Sequence, residues 1–284
     1  MSQLIAVIDG SSYSQSVCDH TAWIAERSGG SVAVVHVLGR RDVASDTSDL
    51  SGSIGLGARS ELLEELAELD GQKARLAQKR GRAILDGAKG RLEAAGVADV
   101  ATRLRHGEVV ETVREFEEEA RLIIIGKRGE AANFSSGHLG SNLERVVRST
   151  QKLVLVASRE FKPIERALVA FDGGPSVLKA IDYIARSKTF RGIQCHLLSV
   201  GNATSERRRD LEGAVAVLQD AGYEATSECL AGQPETAIAS KVDSDHYDLL
   251  VMGAYGHSRI RNMIIGSTTT QMLVSCKIPV LLFR

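Results

Sequence analysis

The chain carries two copies of one pattern, and this duplication limits what it can fold into more than any other feature. The opening run Leu4-Ile5-Ala6-Val7-Ile8-Asp9-Gly10 returns as Ala167-Leu168-Val169-Ala170-Phe171-Asp172-Gly173, and Val37, at the end of the next apolar run, returns as Val200, both at an offset of 163. Farther along, Leu122-Ile123-Ile124-Ile125-Gly126-x-x-Gly129 returns as Leu249-Leu250-Val251-Met252-Gly253-x-x-Gly256 at an offset of 127, and Gly140-Ser141 returns as Gly266-Ser267 at 126. The order of landmarks is kept, so both halves are expected to adopt one architecture. The fall from 163 to 127 gives the first copy 36 extra residues between its second apolar run and its glycine turn. They read as a Gly-, Ser- and Asp-rich loop over 39–58, then a helix-like stretch over 59–95 punctuated by Gly71, Gly81, Gly87 and Gly90. The second copy has only 202–221 in that place. A polar connector, 158–163, ends in Pro163 and divides the chain into expected domains 1–158 and 163–284.

Within each copy, short apolar runs alternate with helical periodicity, the pattern of an α/β fold with a parallel sheet covered on both faces. In the second copy the pattern predicts strands over 167–171, 193–199, 224–230, 249–252 and 280–283. Between the first two, Val177, Ala180, Ile181, Ile184 and Ala185 form one apolar helix stripe. Leu139, Leu143, Val146 and Val147 form another in the first copy.

In an open parallel sheet, ligands bind beyond the carboxyl ends of the strands. That rule gathers Asp172, Val200 and the Gly253-x-x-Gly256 turn at one edge of the second copy, beside Gly266-Ser267-Thr268 at the start of the last helix. A helix start leaves amide N–H groups unpaired and partially positive, which suits phosphate oxygens. Each piece alone is weak: a Gly-x-x-Gly is usually a turn, a Ser or Thr at a helix start is usually a cap, and an Asp after a strand is usually a turn former. Their joint placement, twice in one chain, carries the argument. The chain contains no Walker phosphate loop, and Gly55-Leu56-Gly57 has no strand before it, so a dinucleotide fingerprint is unsupported.

These residues resemble the universal stress proteins, in a tandem arrangement covering nearly the whole length. That family's ATP pattern is Gly, two residues, Gly, nine residues, Gly, then Ser or Thr, and the second copy has it in full as Gly253, Gly256, Gly266 and Ser267. The resemblance implies two tandem five-stranded, nucleotide-binding-like parallel sheets of order 3-2-1-4-5. It places adenine near Asp172, Val200 and Met252, and phosphates at the glycine turn and the Gly266-Ser267-Thr268 helix start. The expected cofactor is ATP, with Mg²⁺ as an available companion on Asp172. His257 and Arg259 lie in the intervening loop, where a solvated position is the plainer reading.

The first copy keeps Asp9, Val37, Ile125, Gly126, Gly129, Gly140 and Ser141 as a second, weaker site, with Lys127 and Arg128 adding positive charge. It has ten residues rather than nine between Gly129 and Gly140. One added residue moves the turn relative to the helix start by up to about 3.6 Å.

The functional expectation is an ATP-binding stress-response or regulatory protein, its nucleotide held by the C-terminal half. The alternative is an interaction protein that binds no nucleotide and works through partner surfaces, the insertion over 39–95 being its working part. A slow ATPase or an adenylating enzyme ranks lower, because no nucleophile, base and orienting partner gather at the site. No protein partner is identified.

With 35 Lys plus Arg against 36 Asp plus Glu, the net charge of −1 gives no field that draws the chain to nucleic acid or anionic lipid. The basic runs Arg207-Arg208-Arg209 and Lys79-Arg80-Gly81-Arg82 sit among acidic neighbours and read as solvated faces. No apolar run nears the roughly 20 residues that cross a bilayer, so no membrane partner is expected and cytoplasm is the expected compartment. Cys18, Cys195, Cys229 and Cys276 lack metal or disulfide spacing and read as buried small side chains; His36 and His196 read as core or half-buried, and no metal site of the protein's own is expected. The resemblance makes the last strands of the two copies the natural contact of an intrachain pseudo-dimer, with a homodimer of chains left open.

Overall fold

The computed structural model describes residues 3–39, 56–129, 140–202, 204–254 and 266–284. In the first half β1 (Gln3–Ile8), α1 (Tyr13–Ser28), β2 (Val32–Leu38), α2 (Leu56–Ala94), β3 (Val100–His106), α3 (Val109–Glu115), β4 (Ala120–Gly126), α4 (Ser141–Ser149) and β5 (Leu153–Ala157) follow one another. The second half repeats this order with β6 (Arg166–Ala170), α5 (Pro175–Arg186), β7 (Gln194–Val200), α6 (Ser205–Asp220), β8 (Ala225–Leu230), α7 (Pro234–Ser244), β9 (Leu249–Gly253), α8 (Ser267–Ser275) and β10 (Val280–Phe283). The second-half strands lie within one residue of the positions expected from the apolar runs.

The strands form a single ten-stranded sheet of order β3-β2-β1-β4-β5-β10-β9-β6-β7-β8. Each half contributes the order 3-2-1-4-5 in its own count. The departure from two separate sheets is the seam, where β5 and β10 pair antiparallel with Val156 opposite Val280, Leu155 opposite Leu281 and Val154 opposite Leu282. All six side chains are buried, and burying each contributes on the order of 1.5–3 kcal/mol. Both faces are covered, so alternate residues of one strand feed different cores: Leu4, Ala6 and Ile8 enter one, Ile5 and Val7 the other. Both cores run unbroken across the seam. On one face Arg27 reinforces it, its Nε donating to the Thr189 carbonyl at 2.8 Å while its guanidinium stacks 4.8 Å from the Trp23 ring centroid.

Helix α5 buries Val177, Ala180, Ile181 and Ile184, the expected stripe less Ala185, and starts at Pro175, whose missing N–H costs nothing in a first turn. Helix α4 buries Leu143, Val146 and Val147; Leu139 lies outside the described residues. Helix α2 runs unbroken through Gly71, Gly81, Gly87 and Gly90, the four expected to punctuate it. Its buried Leu85, Ala88 and Leu92 match Leu211, Ala214 and Leu218 of α6 at an offset of 126. The C-terminal part of α2 is therefore the counterpart of α6, and the added sequence extends that helix at its N-terminal end. Cys18, Cys195 and Cys276 are buried and Cys229 half-buried. Burial pushes the Cys18 thiol up to about 11 and Cys195 to about 12, which keeps both protonated at neutral pH. Among the described residues no helix is long and apolar enough to cross a membrane.

Candidate functional site

In the first half the carboxyl ends of β1, β2 and β4 and the start of α4 enclose a cleft of about 980 Å³. That is the upper end of the range, roughly 300–1,000 Å³, of small-molecule sites. Asp9, Val37, Ile125, Gly126, Gly129, Gly140 and Ser141 all line it.

Asp9 leaves β1 in a turn of its own making. Its Oδ1 accepts from the Ser11 amide at 3.0 Å, and Ser14 Oγ accepts from the Gly10 amide at 3.0 Å. Asp172 builds the same turn in the second half, its Oδ1 accepting from the Gly174 amide at 2.8 Å. Close packing explains the glycines of the β4 turn. A Cβ on Gly129 would stand 2.7 Å from Asp9 Oδ2, and one on Gly126 2.7 Å from Tyr13 Cβ. Gly140 precedes α4 and, among the described residues, no side chain caps that helix, whose first amides suit an anionic acceptor.

Charge around the cleft is mixed. Arg128 and Arg145 lie on the side of the helix start, Lys73 and Arg80 come from α2, and Asp9 and Glu108 supply carboxylates. Arg145 Nη1 donates to Glu108 Oε2 at 2.8 Å. Lys127 does not contribute as expected. Its side chain is 8% exposed, is absent from the cleft lining, and donates from Nζ to the carbonyl of Cys276, which ends α8 in the other half. The negative end of a helix attracts an ammonium there. Burial, foremost, lowers its pKa to about 8.

In the second half Asp172 follows β6, Val200 ends β7, Met252 and Gly253 end β9, and Gly266, Ser267 and Thr268 begin α8. Gly266 again offers no side-chain cap. Thr269 Oγ1 donates to the Gly253 carbonyl at 3.1 Å and ties the helix start to the strand end. Thr268 donates its hydroxyl to Glu235 Oε1 at 2.6 Å, and this bond holds the Glu235 carboxyl below its ordinary value. Gly256, His257 and Arg259 lie outside the described residues. Glu108 and Glu235 went unnoticed in the sequence although they stand at the shared offset of 127, just before and in the first turn of matching helices. Lys73 left no sequence signal, and Arg80, read there as part of a solvated basic run, lines the cleft instead, because nothing local says which face of a long helix meets a cleft.

Among the described residues no group of three or more His, Cys, Asp or Glu is arranged to hold a metal ion. A Mg²⁺ on Asp9 or Asp172 would therefore take its remaining ligands from phosphate oxygens and water, as that ion commonly does.

The profile of the Universal stress protein family matches the chain twice, over residues 1–158 and 163–284. The chain belongs to that family. The universal stress protein Slr1230 of Synechocystis sp. is 38% identical over 287 residues, with all of both chains covered. A solved universal stress protein from Archaeoglobus fulgidus, 20% identical, superposes with a TM-score of 0.73 over 99% of this chain and 95% of its own. A protein of Pseudomonas aeruginosa described as a putative universal stress protein, 15% identical, gives 0.60 over 99% and 92%. These two structures support a universal stress protein fold along the full length.

Proposed function

We propose that this universal stress protein is a regulatory protein of the stress response that binds adenine nucleotide, ATP with Mg²⁺, at the carboxyl edge of each half of its sheet. The observation that carries this reading is the convergence of seven motif residues on one nucleotide-sized cleft in the first half. Asp9 and Val37 sit at the strand ends that would face base and ribose, and Gly126, Gly129, Gly140 and Ser141 sit at the uncapped helix start that would face phosphates. The second half repeats the Asp turn and the uncapped glycine before α8, and its Gly253-x-x-Gly256, Gly266-Ser267 spacing makes it the principal site. ATP there would displace Thr268 from Glu235, since a carboxylate beside a triphosphate is repelled. We read the site as holding nucleotide rather than turning it over.

Calorimetric titration of ATP with and without Mg²⁺ tests the reading. Two sites are expected, with Gly266→Asp abolishing the tighter one and Gly140→Asp the weaker. A protein that binds no adenine nucleotide, or whose affinity ignores both substitutions, overturns it.

A further inference from the structure

The helix behind each phosphate turn is gripped at its far end by the other half of the chain. Helix α8 starts at Ser267 and is followed by Cys276, whose carbonyl accepts from Lys127 Nζ. Helix α4 starts at Ser141 and is followed by Thr150, whose carbonyl accepts from Arg284 Nη1 at 3.0 Å; the Arg148 carbonyl lies 3.3 Å from the same nitrogen. Cys276 and Thr150 are matching positions at the repeat offset of 126. A cation suits either place, because the last carbonyls of a helix are unpaired and partially negative.

Each cation is rooted at the glycine turn of its own half. Lys127 lies between Gly126 and Gly129. Arg284 follows Phe283, whose carbonyl accepts at 2.7 Å from the amide of Ala254, the residue after Gly253. The near ends of the helices rest on the same turns. Thr269 ties the start of α8 to the Gly253 carbonyl, and a Cβ on Gly140, before α4, would stand 3.4 Å from the Lys127 carbonyl. Both helices have nine residues, about 13 Å of rod. The contacts therefore close a circuit across the seam, from the first turn through Lys127 to α8, then from the second turn through Arg284 to α4.

We propose that the two sites are coupled through this circuit, so that nucleotide in the second half fixes its own glycine turn and α8 and thereby pre-orders α4 and the glycine turn of the first half. The proposal rests on the reading of both edges as nucleotide sites. Lys127, absent from the cleft lining, and Arg284 are positioning residues that act through the helices. Order imposed at one site need not be imposed again at the other, so the coupling is positive, and for binding free energies it is reciprocal.

Calorimetric titration of ATP with Mg²⁺ tests this. In the parent the tighter second-half site fills first, so the first-half step reports binding with its neighbour occupied. In Gly266→Asp the same step reports binding with its neighbour empty, and its affinity should be at least about fivefold weaker. Ser267 is exposed, and Ser267→Glu closes the second site without touching the glycine and should give the same ratio. In a Lys127→Met, Arg284→Ala background the ratio should fall to one. A general loss of stability shifts both affinities and leaves their ratio, so only a positioning role gives that result. Two sites with equal first-half affinity in parent and Gly266→Asp, or a ratio that survives the double substitution, overturn the coupling and leave the nucleotide reading standing. A protein that binds no adenine nucleotide overturns both.

Discussion

The Asp9 carboxylate occupies the space that a side chain at position 129 would need, with Oδ2 2.7 Å from where a Cβ on Gly129 would stand. Strand β1 and the glycine turn after β4 are thereby locked together at the mouth of the first-half cleft. Gly129→Ala should force Asp9 out of its turn with Ser11. The expected result is a loss of at least tenfold in first-half nucleotide affinity with second-half affinity unchanged, read by titration in a Gly266→Asp background. An unchanged first-half affinity would remove this contact from the account of the site.

The glycines of α2 should respond in opposite directions. A Cβ on Gly81 would meet Leu104 Cδ1 at 2.8 Å and the His36 ring at 3.0 Å, so Gly81 lets the helix lie close on β2 and β3. Gly81→Val should cost about 1–3 kcal/mol through overpacking. Nothing lies within 4 Å of such a Cβ on Gly87 or Gly90, and Gly87→Ala and Gly90→Ala should each stabilise by about 0.5–1 kcal/mol by removing unfolded-state freedom. Urea denaturation of the three variants checks the order.

Lys127 makes stability depend on pH above neutrality. Its folded pKa is depressed from 10.5 to about 8, so between these values the unfolded chain binds more protons than the native one and stability rises with pH. A shift of this size corresponds to about 3 kcal/mol. The parent should gain stability from pH 8 to 10.5, and Lys127→Met should flatten that rise while being the more stable of the two at pH 7. Parallel profiles for both proteins would show that the ammonium is not buried across the seam.

His20 acts in the acid range. Its ring is fully buried, its Nδ1 lies 2.7 Å from the Ser16 carbonyl, its Nε2 has no hydrogen-bond partner, and its edge packs on Phe161 of the connector at 4.9 Å. Burial lowers its pKa from the ordinary 6.5. The stability tied to its neutral form is complete above 6.5 and is lost as pH falls through the lowered value. His20→Leu should therefore lose less stability than the parent between neutral pH and pH 5, and urea midpoints at several pH values measure the difference.

Much of the fold was legible because fully covered parallel strands read as continuous apolar runs. Leu249 to Met252 and Val280 to Phe283 could hardly be anything else. The insertion was harder. Four glycines between 71 and 90 argued for interruption, but Leu85, Ala88 and Leu92 anchor the helix on the sheet, and that burial outweighs the intrinsic cost of glycine. In the first half, the repeat picks out Asp9, Gly126, Gly129 and Gly140, which line one cleft, since close packing and turn geometry favour those residue types. It misjudged Lys127, because a long flexible side chain can reach either a cleft or a neighbouring helix end, and no local pattern distinguishes the two.

The antiparallel joining of β5 to β10 within one polypeptide has an evolutionary consequence. In an assembly of two identical subunits, any change on one side of the seam is imposed on the other, and a lengthened helix would arise twice. Covalent linkage lifts that constraint, so one half can acquire a longer helix and a tenth residue between Gly129 and Gly140 while its sibling keeps nine between Gly256 and Gly266.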